Sequence, residues 1–301
     1  MSKLKSLFSS LKKPGVLLYT LGGKGMFNWL PDKAYLDLVF LFLFGHRIDW
    51  NNPKTFNEKL QWIKINCRDS RYPLLVDKYE VKRIMTEILG EEYVIPNLGV
   101  WEDASDIDFD MLPERFVLKC THDSGSVIIC KDKNKLEVDK IRASLNEHMG
   151  KSAYWFGREW PYKLVKPRII AEPYLEDEDA QLKDYKFMCF NGNMKCCFVF
   201  SDRFEDSGVK LNVYDKDWNP MDVGRKYTTM KPGVKQPKNY ALMIKFAELL
   251  SKEIPFVRVD FYEVRGKLYF GEMTFFPNSG FTAFHPENWD AILGEWLTLP
   301  R

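Results

Sequence analysis

The hydrophobic pattern of this chain predicts an α+β fold, with antiparallel sheets and helices packed on them. Three observations carry that reading. Helical periodicity dominates up to about residue 92, and strand patterns enter only from about residue 93. Two strand pairs are joined by short turns, one around Asn191-Gly192-Asn193 and one at Gly266, and such turns join antiparallel neighbours. Helical stretches at 135–149 and 237–252 fall between the strand groups.

In chain order, the N-terminal MSKLKSLFSSLKKPGVLLYTLGGKG has apolar stretches interrupted by Lys12, Lys13 and Pro14. No small-residue cleavage site follows, so a secretion signal is not expected. The most apolar run, 36–44 (LDLVFLFLF), is shorter than the about 20 residues that a bilayer crossing needs. A buried helix over 32–45, stopped by Gly45, is the expectation. The basic lead of Lys3, Lys5, Lys12 and Lys13 keeps a peripheral membrane contact as the alternative. Thr55 followed by Glu58 three residues on has the spacing of a capping box, with Leu60, Trp62 and Ile63 as the apolar side. A helix is expected over 74–89, with Leu75, Tyr79, Ile84 and Ile88 inward and Gly90 as its stop. Strands are expected at 93–96, 115–120, 127–131 and 168–175, the last leading into the acidic loop 176–179. A hairpin over 185–190 and 195–200 and a final one within 256–280 complete the set.

The chain has 301 residues, 45% hydrophobic and 29% charged, enough for two or three small subdomains with sizeable cores. A net charge of +2 gives no strong field that favours nucleic acid or an anionic membrane as the main partner. The six cysteines show no CxxC spacing and read as buried free thiols of a reducing cytosol.

The chemistry concentrates in the final hairpin. Val257, Val259 and Phe261 alternate with Arg258, Asp260 and Tyr262, so the polar set shares one face. Pairing across the hairpin brings Glu272 of the return strand toward Asp260, with Arg258 beside them. Two carboxylates and an arginine on one sheet face suit Mg²⁺ plus a polyphosphate, because Mg²⁺ shares its shell among few carboxylates, phosphate oxygens and water. Taken singly, each is equally a salt-bridged rim residue. Lys119 ends a strand before Cys120-Thr121-His122-Asp123-Ser124-Gly125-Ser126, a turn whose N–H groups can close over phosphates; the alternatives are a snorkelling surface lysine and a simple hairpin turn. The segment lacks the Walker spacing, which disfavours a P-loop fold. Glu172, in an apolar strand, can accept from an adenine amine or stand as an edge-strand charge. Lys186 can approach the phosphates from the side opposite Lys119.

This order of parts resembles an ATP-grasp enzyme. Arg258-Val259-Asp260 with Gly271-Glu272-Met273-Thr274 is similar to the R-x-D … E-x-N signature of the D-alanine–D-alanine ligase branch. The phrases KTFNEKLQW, DKYEV, FVLKCTHDSG, GREWPY, KDYKFMCFNG and VRVDFY…GEMTF…P resemble the TupA-like ATP-grasp subfamily, from about residue 31 to 300. That subfamily is associated with teichuronopeptide and capsular polysaccharide biosynthesis. The resemblance implies an ATP-grasp fold in which two α+β subdomains grip ATP between antiparallel sheets. The divisions are a mostly helical region 1–92, a first subdomain 93–175 and a second 176–301.

The resemblance also implies roles. Lys119 and Lys186 bind ATP phosphates, with Ser124, Gly125 and Ser126 as a mobile lid. Glu172, Pro173, Tyr174 and Leu175 face adenine, and Glu176 or Asp179 takes the ribose. Asp260 and Glu272 hold Mg²⁺, and Arg258 stabilises the transferring phosphoryl group. Thr274 stands where many ATP-grasp enzymes place a metal-binding Asn, which leaves a second metal open, with Asn278 as a substitute. In the GREWPY segment Arg158 is the candidate for holding an acceptor carboxylate, and Trp155, Trp160 and Tyr162 for stacking on a sugar; an aromatic packing loop is the alternative. His122 and Asp123 either assist proton transfer or brace a turn. His285, Trp289 and Trp296 read as C-terminal packing. The implied activity is an ADP-forming carboxylate–amine ligase, joining for example an amino acid to a uronic-acid glycan or extending an acidic peptide, in the cytoplasm or at the inner face of the membrane. The rivals are a kinase, a glycosyltransferase, which would need a parallel-sheet core, and a non-catalytic nucleotide-binding scaffold.

Overall fold

A computed structural model describes residues 14–177, 182–201, 208–224, 229, 231 and 233–300. Helices lead. α1 (Pro14–Gly23) and α2 (Asp32–Phe44) form a hairpin. Gly45, at φ 81°, caps α2 in the left-handed region and donates its N–H to Leu41 O. α3 (Phe56–Asn66) starts on the expected capping box: Thr55 accepts from the Glu58 N–H and Glu58 accepts from the Thr55 N–H.

The stretch 74–89 is not one helix. Asp77 divides it into α4 (Tyr72–Val76) and α5 (Glu80–Leu89), because its carboxylate accepts from the Tyr79 and Glu80 N–H groups at 2.8 and 3.4 Å and restarts the helix. The restart turns the inward face to Val81, Met85 and Leu89 and leaves Ile88 exposed.

The first sheet consists of β1 (Gly99–Trp101), β2 (Phe116–Cys120), β3 (Ile128–Cys130) and β4 (Ile169–Pro173), in the order β1-β4-β2-β3. α6 (Val138–Met149) closes its core, with Leu145 against Phe116, Leu118 and Cys120. A short helix α7 (Tyr154–Gly157) precedes β4. The expected strand at 93–96 is instead a 3₁₀ turn, Glu91–Tyr93, followed by a single bridge from Val94 to Phe270.

The second sheet consists of β5 (Asp184–Phe190), β6 (Asn193–Ser201), β7 (Lys210–Asp215), β8 (Phe256–Val264) and β9 (Lys267–Thr274), in the order β7-β6-β5-β8-β9. Every strand pair in both sheets is antiparallel. Asn191 and Gly192, and likewise Arg265 and Gly266, have positive φ at the two hairpin turns, the geometry that matches strand twist. β5 is buried at all positions as the central strand.

α8 (Tyr240–Leu250) packs on this sheet, and α3 packs beside it through Phe56, 5.7 Å from Phe190 and 4.8 Å from Phe256. One core therefore unites α3, α4 and α5 with the five-stranded sheet, α8 and α9 (Trp289–Trp296). α3, α4 and α5 are part of that body, whereas Tyr35, Leu36 and Val39 of α2 form a core cluster of their own with α1. Gly294 of α9 lies so close to the start of α3 that a Cβ there would meet Lys54 O at 2.1 Å. Lys59 caps α9 by donating to Gly294 O at 2.8 Å and Leu297 O at 2.7 Å. None of the six cysteines is in a disulfide, and five are buried. No helix among the described residues is long and apolar enough to cross a membrane.

Candidate active site

The two sheets face a shared small cavity. Lys119 and Glu172 line it from the four-stranded sheet, and Tyr262, Phe270, Gly271 and Glu272 from the five-stranded one. Lys78, Val81, Lys82, Val94 and Ile95 close it from α5 and its flanks.

The register of three strands builds the acidic side. Lys186 of β5 pairs with Asp260 of β8, and Asp260 pairs with Glu272 of β9, as the hairpin reading expects. A bulge follows Asp260, opposite Gly271, where a Cβ would come within 3.0 Å of Asp260 O; glycine lets β9 close onto β8 here. Arg258 ties the carboxylates together. Its Nε donates to Asp260 Oδ1 at 2.7 Å, and its Nη2 donates to Asp260 Oδ2 at 2.7 Å and Glu272 Oε1 at 2.6 Å. Lys186 Nζ donates to Asp260 Oδ2 and lies 2.8 Å from Asp184 Oδ2. Asp260 is fully buried, and burial pushes its carboxyl up to about 6 against the pull of Arg258 and Lys186. Glu272 sits at the rim. Its partial burial favours the neutral acid, but Arg258, Lys186 and Lys78 hold it well below the usual carboxylate range.

The basic side is a clasp that the sequence reading only half contains. Glu172 Oε2 accepts from Lys119 Nζ at 2.5 Å, and its Oε1 lies 2.6 Å from Lys82 Nζ. Burial would raise this carboxyl, yet the two ammonium groups outweigh it and bring it down to about 2. Glu172 is thus anchored between lysines rather than free to read a base. Lys78 Nζ donates to Asp123 O, which places a third lysine between the 121–126 turn and Glu272. Lys78, in the turn before α5, and Lys82, on α5, were missed because their placement depends on the restart at Asp77. Their spacing of four residues is the available signal.

The expected lid is divided. Ser124 and Gly125 are exposed, whereas Ser126 is buried, accepting from the Cys120 N–H at 2.7 Å and donating to Asp123 Oδ1 at 2.5 Å. Asp123 Oδ2 pairs with His148 Nδ1 at 2.6 Å. His122 is buried outside the cavity, its Nε2 facing His148 O and Lys151 O, so it braces the turn.

The GREWPY segment exchanges its expected roles. Arg158 is buried, donates to Phe27 O at 2.7 Å and packs on Tyr35 and Trp155; it is not presented to the cavity. Trp160 stacks on Tyr72 and is likewise buried. Glu159, which sequence reasoning passed over, accepts from Ser279 Oγ at 2.5 Å, and the Lys64 ammonium, with a lesser pull from Arg258, opposes the rise that burial imposes on its carboxyl. Tyr162 is half-buried, and burial, Glu159 and Glu272 together push its hydroxyl up. Glu159 and Tyr162 thus sense the charge of Arg258, and Tyr162 also that of Glu272.

Tyr174 is sandwiched by Arg115 at 4.3 Å and Lys131 at 5.6 Å, and Glu176 pairs with Arg115 at 2.6 Å. Leu175 is half-buried and Pro173 ends β4. Asp179 lies outside the described residues. Thr274 Oγ1 donates to Glu272 Oε1 at 3.3 Å. Asn278 is exposed in left-handed backbone and makes no hydrogen bond to Asp260 or Glu272. Trp289 Nε1 donates to Asp222 O and Trp296 packs on Phe190, both as C-terminal packing.

Among the described residues no three His, Cys, Asp or Glu side chains are grouped to hold a metal by themselves. The paired carboxylates of Asp260 and Glu272 still fit Mg²⁺, since that ion takes one or two carboxylates and completes its shell with phosphate oxygens and water.

The family described as TupA-like ATPgrasp matches residues 58–298. No curated protein is similar enough to match. Among solved structures, D-alanine–D-alanine ligase from Bacillus anthracis complexed with ATP is 17% identical at a TM-score of 0.38, covering 67% of this chain and 53% of the ligase. N5-carboxyaminoimidazole synthetase from Staphylococcus aureus complexed with ADP is 16% identical at 0.43, covering 89% and 64%. The ATP-grasp ligase PsnB complexed with minimal precursor, Mg and ADP is 10% identical at 0.38, covering 73% and 57%. This chain thus spans about half of the first of these, and the assignment rests on the family match, not on such slight likenesses. With that match over most of its length and two antiparallel sheets facing one cavity, the chain belongs to the TupA-like ATP-grasp family.

Proposed function

We propose that this protein is an ATP-dependent carboxylate–amine ligase of cell-surface polysaccharide or polypeptide assembly. The observation that carries the reading is a cavity between the two sheets lined by the Lys82–Glu172–Lys119 cluster on one side and by Glu272 on the other, with Arg258, Asp260 and Lys186 linked behind Glu272 by ion pairs. The apolar walls Val81, Val94, Ile95 and Phe270 suit a flat base. Lys119, Lys186, Lys78 and Lys82 would bind phosphate oxygens, which compete with Glu172 and Asp260 for the same ammonium groups. Asp260 and Glu272 would hold Mg²⁺, which when bound neutralises phosphate charge. Arg258, already bridging both carboxylates, is placed to stabilise the transferring phosphoryl group.

A substrate carboxylate oxygen attacks the γ-phosphorus of ATP, the bond to the ADP oxygen breaks, and an acylphosphate forms. An amine then attacks the acyl carbon and inorganic phosphate leaves. Glu159, held by Ser279, would take the amine proton. The uronic-acid or acidic-peptide carboxylate and the amino-acid amine follow from the family's setting. A glycosyltransferase is disfavoured by the antiparallel pairing of both sheets.

Hydroxylamine trapping tests the reaction. With Mg²⁺–ATP and a uronic acid or oligoglutamate, hydroxamate and phosphate released in equal amounts support the ligase. ADP with a phosphorylated hydroxyl and no hydroxamate would make it a kinase.

A further inference from the structure

α2 is apolar on two opposite sides. Tyr35, Leu36 and Val39 are buried in the core shared with α1, as the expected buried helix requires. Leu38, Leu41 and Phe42 lie on the other side, where a surface helix normally carries charge, and Phe42 is 47% exposed. α1 packs alongside through Gly15 and Gly22, where a Cβ would strike Leu43 and Tyr35, so the two helices run antiparallel at close range. The turn between them adds Met26, 56% exposed, and Trp29, 77% exposed.

Charge says what would cover this surface. The whole chain has 44 Lys and Arg against 42 Asp and Glu, but residues 1–50 hold seven Lys or Arg, three Asp and no Glu. Those three carboxylates are engaged: Asp32 accepts from Tyr154 OH at 2.5 Å, Asp37 pairs with Arg47, and Asp49 accepts from the Asn51 and Asn52 N–H groups. Lys24 and Lys33 are exposed beside Met26 and Trp29, and Lys3, Lys5, Lys12 and Lys13 precede α1 in the sequence. α2 is only about 20 Å long, too short to cross a bilayer.

We propose that the α1–α2 hairpin docks on an anionic phospholipid bilayer, laying Trp29, Met26, Leu38, Leu41 and Phe42 into the headgroup boundary with the surrounding lysines against lipid phosphates. This surface is independent of the ligase reading.

Co-sedimentation of the full chain with phosphatidylcholine vesicles, with and without roughly one-third phosphatidylglycerol, tests it. The anionic vesicles should carry the protein down, less so at about 1 M salt. Trp29→Ser and Phe42→Ser should each weaken partitioning about tenfold, with unchanged thermal midpoints because both side chains are exposed. Protein left in the supernatant with anionic vesicles would overturn the proposal, as would variants that bind like wild type. A wild-type dimer that both variants dissociate, with no vesicle binding, would assign the face to a second copy of this chain instead.

Discussion

Glu172 is the residue on which the basic side of the site turns. Its folded pKa of about 2 lies below the unfolded carboxylate value, so its pairing stabilises the protein above about pH 4.3 and is lost as pH falls toward 2. The difference between wild type and Glu172→Gln in urea unfolding should therefore be about 3 kcal/mol at neutral pH and shrink across that window. A difference that stays constant with pH would mean that Lys82 and Lys119 do not depend on the carboxylate charge.

Arg158 belongs to the interior, where it packs on Tyr35 and Trp155 and donates to Phe27 O. Arg158→Ala should lower stability by about 2–4 kcal/mol and leave the KM for the carboxylate substrate unchanged. A large rise in that KM at unchanged stability would restore the acceptor role that the sequence suggests. Glu159→Gln should reduce amine-dependent turnover roughly 100-fold, while ATP-dependent transfer to the carboxylate, read as phosphate release without amine, stays near wild type. Equal loss of both would place Glu159 in folding or in nucleotide binding. Asp260, Arg258 and Glu272 were legible because strand alternation and hairpin register are local. Lys82 and Glu159 were not, since their partners Glu172 and Ser279 lie far off in sequence and only packing brings them together.

The elements divide along the same line. The two hairpins were readable from Asn191-Gly192 and Gly266, and α3 from its capping box, because each signal sits within a few residues of what it specifies. β1 spans only Gly99–Trp101 and owes its existence to pairing with β4, so no periodicity announces it. The break at Asp77 shows how one side-chain acceptor overrides a helical pattern and rotates the face that follows. α9 is held at a contact that tolerates no side chain at Gly294, where Lys54 O is the obstacle. Gly294→Ala should cost about 2–3 kcal/mol by forcing α9 away from α3, seen as a lower thermal midpoint. An unchanged midpoint would mean that the C-terminal helix shifts freely and does not fix the core.

At the scale of the whole molecule, the functional claim is that one nucleotide bridges two sheets. The four-stranded sheet brings Lys119 and Glu172, the five-stranded sheet brings Glu272 with Asp260 and Lys186 linked behind it, and α5 brings Lys82 to the same cavity. Antiparallel sheets with helices packed on them followed from the order of strand and helix patterns, and their division into two subdomains from the family resemblance. The sharing of one core between α3–α5 and the second sheet did not, because it rests on contacts such as Phe56 with Phe190 and Phe256. Thermal unfolding with Mg²⁺–ATP tests the claim most directly, since a ligand that binds the folded state raises the midpoint by mass action. At about a hundredfold excess over Kd, wild type should gain about 5 °C or more, and Lys119→Ala, whose Glu172 still keeps Lys82, should lose that gain. No shift with Mg²⁺–ATP, or an equal shift in Lys119→Ala, would contradict it.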